Sequence, residues 1–406
     1  MRGRRILIPL PNTGSMYRKR NTYYMRGIIF MAVLIFLFLK LQIFTFYDNH
    51  DSVLMEPTND SVDAIMSMVP SVLHKFLTPK TLLHNGSNLI GALNFVDLYH
   101  PPNITEINRQ IAKYNDMQLV LNEYTFGPLQ NDSVIIVVQV HTRITYLRHL
   151  IVSLAQAHDI SRVLLIFSHD YYDEDINDLV QTIDFCKVMQ IFYPYSIQTH
   201  PNQFPGVDPN DCPRDIKKDH AIIRKCNNAL YPDLYGHYRE AKFTQTKHHW
   251  WWKANRVFDQ LEITRYHTGL VLFLEEDHYV AEDFLYVLEM MYKRTTDLCP
   301  QCNILSLGTY LKTFNYYTYN SKVEVMPWIS SKHNMGFAFN RTTWNSIRTC
   351  AKHFCSYDDY NWDWSLQHVS QQCLRRKLHA MIVKGPRVFH IGEWRFDQKI
   401  ALVKKY

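Results

Sequence analysis

Glu275, Glu276 and Asp277 stand side by side at the end of GLVLFLEED, where an apolar run enters three acids without a break. Adjacent carboxylates repel one another, and alternation along a strand sends Glu275 and Asp277 to one face and Glu276 to the other. A divalent cation relieves that repulsion. Mn²⁺ or Mg²⁺ takes one or two carboxylates and fills its remaining positions with phosphate and water. The competing reading is a solvated acidic turn ahead of the helix suggested by AEDFLYVLEMMYKR from Ala281, because carboxylates stabilise helix starts.

A second acidic group lies in SYDDYNWDWSLQHV, residues 356–369, where Asp358, Asp359 and Asp363 are interspersed with Tyr357, Tyr360, Trp362 and Trp364. Aromatic rings with polar edges offer flat platforms to sugar rings, and a carboxylate among them can take a hydroxyl proton. The plainer alternative makes the aromatics core residues, Asn361 a helix N-cap and Asp363 a first-turn acid. His390 in RVFHIG is a candidate imidazole ligand, and REAKFTQTKHHWWWK, residues 239–253, is basic and aromatic. An isolated His and a run of Trp more often pack than bind.

Rigid elements must hold these groups. VIIVVQVHTR, residues 134–143, is a β-branched run of the kind found in buried parallel strands. In YLRHLIVSLAQAHDI, Leu147, Leu150, Ile151 and Leu154 recur at helical spacing, and RVLLIFSHD, residues 162–170, is a second buried strand. Strand, amphipathic helix and strand make a βαβ unit, and GLVLFLEED supplies a third strand of the same type. The strands end in polar clusters: His141, Thr142 and Arg143; Ser168, His169 and Asp170; Glu275, Glu276 and Asp277. Ligands of open α/β sheets sit beyond the carboxyl ends of the strands, so the three clusters are expected to converge on one site.

With 47% hydrophobic and 14% aromatic residues the chain is globular, not disordered. Seven basic residues and no acid precede residue 27, and Ile28 to Leu39 is unbroken apolar sequence that resumes after Lys40. A run of about 19 residues spans a bilayer, and its basic flank stays in the cytoplasm. The expected organisation is a cytoplasmic tail (1–27), a transmembrane signal anchor (28–46), a lumenal stem (47–129) with a short helix near Ile107 to Tyr114, and a catalytic domain (130–406). A cleaved signal peptide is the alternative, disfavoured by the long apolar run and the missing small-residue cleavage site. Sequons at Asn59, Asn85, Asn103, Asn131 and Asn340 fit a glycosylated lumenal chain. Without its tail the chain is close to neutral, which argues against nucleic acid as a partner. The eight cysteines read as disulfides in an oxidising lumen, with half a zinc site at Cys299 and Cys302 as the lesser alternative.

The motifs HYREAKFTQTKHHWWWK, FLEEDHY, LSLGTY, HNMG and YDDYNWDW, spread between Val134 and His390, together resemble the N-acetylglucosaminyltransferase II family of Golgi enzymes. The resemblance implies an α/β GT-A glycosyltransferase fold, a Rossmann-like nucleotide-binding part joined to an acceptor-binding part, behind an N-terminal transmembrane helix. It implies inverting, Mn²⁺-dependent transfer of GlcNAc from UDP-GlcNAc in β1,2 linkage to the α1,6-arm mannose of N-glycans on glycoproteins, at the Golgi membrane. By position it implies Asp277 and His390 as Mn²⁺ ligands and Asp363 as the catalytic base. Arg143 and Asp170 fall around the uridine, with Glu275 and Glu276 also on the donor side. Arg214, Asp233, Asn334, Tyr360 and Trp362 fall on the acceptor side. Disulfides Cys212–Cys226, Cys299–Cys302 and Cys350–Cys373 follow from the same resemblance. Cys355, whose family partner lies in a C-terminal extension, and Cys186 stay unassigned, and HIG stands where the family has HAG. Left open are a homodimer, a carbohydrate-binding protein without turnover, and a sibling transferase with another mannose acceptor.

Overall fold

The computed structural model describes residues 67–78, 103–233, 235–310, 315–357 and 359–392. The expected tail and membrane span, residues 1–46, lie outside them, as do sequons Asn59 and Asn85. Among the described residues no helix is long and apolar enough to cross a membrane.

A nine-stranded mixed sheet organises residues 120–383. Its parallel centre is β2 (Ile135–Val140), flanked by β3 (Leu164–His169) and β5 (Leu270–Glu275), with β4 (Lys187–Phe192) beyond β3. The first three are the apolar runs noted above, and every residue of β2 and β3 is buried, as two-sided burial of a parallel strand requires. Past β5 the sheet turns antiparallel through β9 (Phe337–Asn340), then continues with β7 (Ile304–Ser306), β10 (His379–Val383) and β8 (Val323–Pro327). At the other edge β1 (Val120–Leu121) pairs antiparallel with β4. Two short strands stand apart: β6 (His278–Val280) pairs with β11 (Val388–His390), which puts His390 opposite His278.

Period-2 alternation splits the core between the faces of the sheet. Ile136 and Val138 of β2 pack with Leu147, Leu150, Ile151 and Leu154 of helix α2 (Ile144–Ala155), the spacing seen in the sequence. Ile135 and Val137 face the opposite way, toward Trp250, Trp344 and Trp362. Trp250 belongs to α4 (Ala241–Asn255), Trp344 to α6 (Arg341–Arg348) and Trp362 to α7 (Trp362–Gln372). On the first face lie α3 (Glu174–Gln181) and α5 (Phe284–Leu298) as well. Ahead of β2, α1 (Ile104–Met117) sets Ile107 and Ile111 against Phe192 of β4, and Phe76 is buried beside α2 with its carbonyl accepting from Arg148. These residues fall within the stretch the sequence assigns to the stem, and they pack on the sheet.

The three disulfides implied by the resemblance are formed, Cys212–Cys226, Cys299–Cys302 and Cys350–Cys373. Cys299 and Cys302 bond each other, so they are not half of a zinc site. Cys186 is a buried thiol and Cys355 an exposed one.

Candidate active site

Strand alternation stops at Glu275, because Glu276 and Asp277 form a turn into β6. Glu276 is therefore not sent away from its neighbours, as continued alternation would require. It turns back toward the end of β2, where its Oε2 accepts the His141 N–H (2.7 Å) and its Oε1 accepts Arg143 Nε (3.0 Å). The same guanidinium gives Nη2 to Asp277 Oδ2 at 2.7 Å. One fork thus spans two carboxylates that are almost fully buried. Asp277 Oδ2 also meets His390 Nε2 at 3.1 Å. The HIG glycine serves this approach: a Cβ on Gly392 would lie 2.5 Å from Asp277 Oδ2 and 3.0 Å from Arg143 Nη1.

Burial pushes the Glu275 and Glu276 carboxyls up, with the charge of Asp277 adding to the rise at Glu275. Burial would raise Asp277 too, but the His390 hydrogen bond and the charges of His278 and Arg143 outweigh it and hold Asp277 below the usual carboxylate range. At His390 burial lowers the imidazole, and the bond to Asp277 more than reverses that. Lys253, buried beneath this turn, donates to Gln139 Oε1 at 2.6 Å, and burial pulls its ammonium down.

A divalent cation fits these residues. Asp277 Oδ1 is buried with no hydrogen-bond partner, and an anionic oxygen left so is costly unless a cation reaches it. Ligand atoms of Glu275, Asp277 and His278 lie within 4.8 Å of one another. His278 is a poor donor to a metal all the same. Its Nδ1 accepts the Glu275 N–H at 3.1 Å, and burial lowers its pKa to about 4, so the neutral ring carries its proton on Nε2. Glu275 and Asp277 remain as oxygen donors, and His390 stands against Asp277.

Asp170, at the end of β3, is buried between two imidazoles: Oδ1 meets His141 Nδ1 at 2.6 Å and Oδ2 meets His249 Nδ1 at 3.2 Å. His249 Nε2 meets Ser168 Oγ at 2.7 Å. With Asp170 accepting at Nδ1, neutral His249 holds its proton there and Ser168 donates to Nε2. Burial would raise Asp170, yet the two histidines outweigh it and keep its carboxyl depressed. His141, half exposed, carries this network to the surface beside Arg143. His141 and Ser168 come from the strand-end clusters expected to converge here, and His249 and Lys253 from the motif of residues 239–253, though the sequence assigns none of the four an individual role.

Asp363 sits in the first turn of α7, with Asn361 as N-cap. Asn334 Nδ2 donates to Asp363 Oδ2 at 3.0 Å, the Trp364 N–H to Oδ1 at 2.9 Å, and the Tyr310 hydroxyl to Asn334 Oδ1 at 2.7 Å. Burial, then the charges of Glu275, Asp363 and Asp277, push the Tyr310 phenol up. The segment before α7 is gripped by α4, where Thr244 Oγ1 donates to the Asp359 carbonyl (2.6 Å) and Lys247 Nζ to the Tyr357 carbonyl (2.6 Å).

On the remaining side, Asp233 and Tyr360 line one recess with Tyr231, Tyr238, Arg239 and Asp359. Asp233 accepts the N–H groups of Tyr235 and His237, shaping the turn there, and Tyr360 lies against Phe243 with ring centroids 4.6 Å apart. Arg214 pairs with Glu240 at 2.7 Å, and its carbonyl accepts from the Tyr238 N–H. Trp362 is only 6% exposed and stacks on Trp250 at 4.9 Å and Phe337 at 5.3 Å, so its ring belongs to the core.

Residues 108–401 match the family model described as N-acetylglucosaminyltransferase II (MGAT2). The chain is 48% identical over 289 residues to the alpha-1,6-mannosyl-glycoprotein 2-beta-N-acetylglucosaminyltransferase of Mus musculus, covering 71% of this chain and 65% of that one. The Homo sapiens protein of the same name is 50% identical with the same coverage. The Arabidopsis thaliana one is 36% identical over 342 residues, covering 80% of this chain and 76% of its own length. The chain thus spans about two thirds of the length of the mammalian relatives. Among solved structures, S. aureus TarS 1-349 is matched with a TM-score of 0.33 at 10% identity, covering 63% of this chain and 59% of that one, a likeness too slight to carry an argument.

Proposed function

The chain belongs to the N-acetylglucosaminyltransferase II family, and from that premise we propose that it transfers GlcNAc from UDP-GlcNAc, with inversion, to O2 of the α1,6-arm mannose of an N-glycan. We propose further that its sheet is the nucleotide-binding part of a GT-A fold and that it is a type II Golgi membrane protein with residues from about 47 onward in the lumen. The observation that carries the catalytic reading is the meeting of Asp277 and His390 at 3.1 Å, with Asp277 Oδ1 buried and unpartnered, while Tyr310, which feels the charges of Glu275, Asp277 and Asp363, orders Asp363 through Asn334.

Asp363 takes the proton of the acceptor O2 hydroxyl, and that oxygen attacks C1 of GlcNAc as the C1–O bond to the diphosphate breaks. Attack from the face opposite the departing UDP gives the β linkage, so a single carboxylate on that face is enough. Asn334 and the Trp364 N–H fix both Asp363 oxygens, which orients the base. Asp277 and His390 would hold Mn²⁺, which when bound neutralises charge on the leaving diphosphate. Arg143 keeps Glu276 and Asp277 in place. The Ser168–His249–Asp170–His141 network presents a fixed polar edge to the uridine. On the family resemblance, Arg214, Asp233 and Tyr360 face the acceptor glycan.

A radiolabel transfer assay tests this. Protein from about residue 47 onward is incubated with UDP-GlcNAc, Mn²⁺ and an N-glycan already bearing GlcNAc on its α1,3 arm, with and without chelator. Label added to the glycan and lost on chelation is the expected result. Folded protein that binds UDP but transfers nothing would make the chain a binding protein without turnover.

A further inference from the structure

Two sequons, Asn131 and Asn340, lie at strand ends of the sheet, and neither donor nor acceptor chemistry uses them. Asn131 is exposed on the turn before β2, and its carbonyl accepts the N–H groups of Thr268 (2.9 Å) and Gly269 (3.1 Å). The turn is tightly seated, since a Cβ on Gly269 would meet the Asp132 carbonyl at 2.8 Å. Asn340 ends β9 directly opposite Leu270, the first residue of β5. Both asparagines therefore flank the start of β5, whereas Asp277 follows its end. At ~3.3 Å per residue, roughly 20 Å of strand separates them from the acidic turn.

The Asn340 side chain divides its work between its two ends. Oδ1 accepts the Thr343 N–H at 3.2 Å and caps α6, while Nδ2 faces the Tyr292 hydroxyl at 3.5 Å. Glycosylation consumes only a hydrogen of Nδ2, so the cap and a glycan coexist. Each site also has an exposed ring close by, Tyr292 at Asn340 and Tyr266 in the loop before Thr268, and such a ring is a platform for a first sugar.

We propose that Asn131 and Asn340 are N-glycosylated, forming a pair of glycans at the sheet edge opposite the catalytic edge. The donor is a lipid-linked diphospho-oligosaccharide. A bond forms between Asn Nδ2 and C1 of the reducing-end GlcNAc, the C1–O bond to the diphosphate breaks, the amide loses one proton, and the lipid diphosphate leaves with the electron pair. Placed there, the glycans hinder neither donor nor acceptor. The inference rests on the lumenal placement proposed above.

The test expresses the full chain in a secretory eukaryotic cell, releases N-glycans with peptide N-glycosidase in heavy-oxygen water, and locates labelled aspartates by mass spectrometry. Label at Asn131 and Asn340 is expected. Ser133→Ala and Thr342→Ala, which keep each asparagine and the α6 cap, each remove one site's label and leave transfer activity unchanged. Label at Asn103 or at Asn59 and Asn85 with Asn131 and Asn340 bare refutes the pair while sparing the lumenal placement. No label at any sequon refutes the placement and the proposal together. Loss of transfer in either variant refutes the separation from the catalytic edge.

Discussion

In the proposed mechanism Asp363 and Arg143 carry the most weight, and each makes a separable prediction. Asparagine at position 363 keeps the acceptor bond to Trp364 N–H but cannot take a proton. Asp363→Asn is expected to lower kcat by about 10²–10⁴, the usual worth of a positioned base, with Mn²⁺-dependent UDP binding unchanged by calorimetry. If UDP binding collapses as well, Asp363 is structural and the base lies elsewhere. Arg143→Met leaves the buried Glu276 and Asp277 without their shared cation. Removing one partner of a buried ion pair costs about 3–5 kcal/mol, visible as a lower urea midpoint in metal-free buffer. A loss below about 1 kcal/mol would mean that the fork does not hold the acids, since that is the range of an exposed pair.

At the scale of elements, α4 holds the segment that leads into α7. Lys247→Met removes the donor to the Cys355 and Tyr357 carbonyls from a site only 1% exposed. The expected result is a fall in kcat of about tenfold or more, as a misplaced base produces, with the KM for UDP-GlcNAc unchanged. Equal losses in donor KM and kcat would contradict a role confined to α7. Buried histidines predict the response to acid. Burial lowers His278 and His333 to about 4 and His169 to about 3 from an ordinary 6.5. Below 6.5 the unfolded chain binds protons that these folded rings refuse, so their share of stability is full above 6.5 and is lost as pH falls toward those values. The slope is up to ~1.4 kcal/mol per pH unit for each ring. His390, raised by Asp277, and Glu275 and Glu276, raised by burial, work in the opposite direction and soften the decline. Thermal midpoints from pH 7 to pH 4.5 measured without metal should fall steadily, and a flat profile would refute the buried neutral state.

Across the whole molecule, what the sequence revealed depended on how local the cause was. The strands β2, β3 and β5 were legible because strands covered on both faces are continuous β-branched and aliphatic runs. The helix α2 was legible because its core face repeats at 3.6 residues. The antiparallel insertion of β9 between β5 and β7 was not, since FAFN is too short to show a period and its pairing joins distant segments. The acids of the site could be read from their adjacency, and Arg143 and His390 were expected beside them, but the bonds that join them could not be read. Arg143 reaches them from another strand end, and His390 arrives through the two-stranded β6–β11 pair. Trp362 shows the opposite case: its motif suggests a sugar platform, and packing against Trp250 and Phe337 takes the ring into the core. The central claim is that Asp363 acts from the face opposite the departing diphosphate and so delivers a β1,2 linkage to the α1,6-arm mannose. Proton NMR of the purified reaction product tests it most directly. The account predicts a new anomeric signal with the large coupling of a β-GlcNAc and a correlation to C2 of the α1,6-arm mannose. An α-anomeric coupling, or a new linkage at any other carbon, would contradict it.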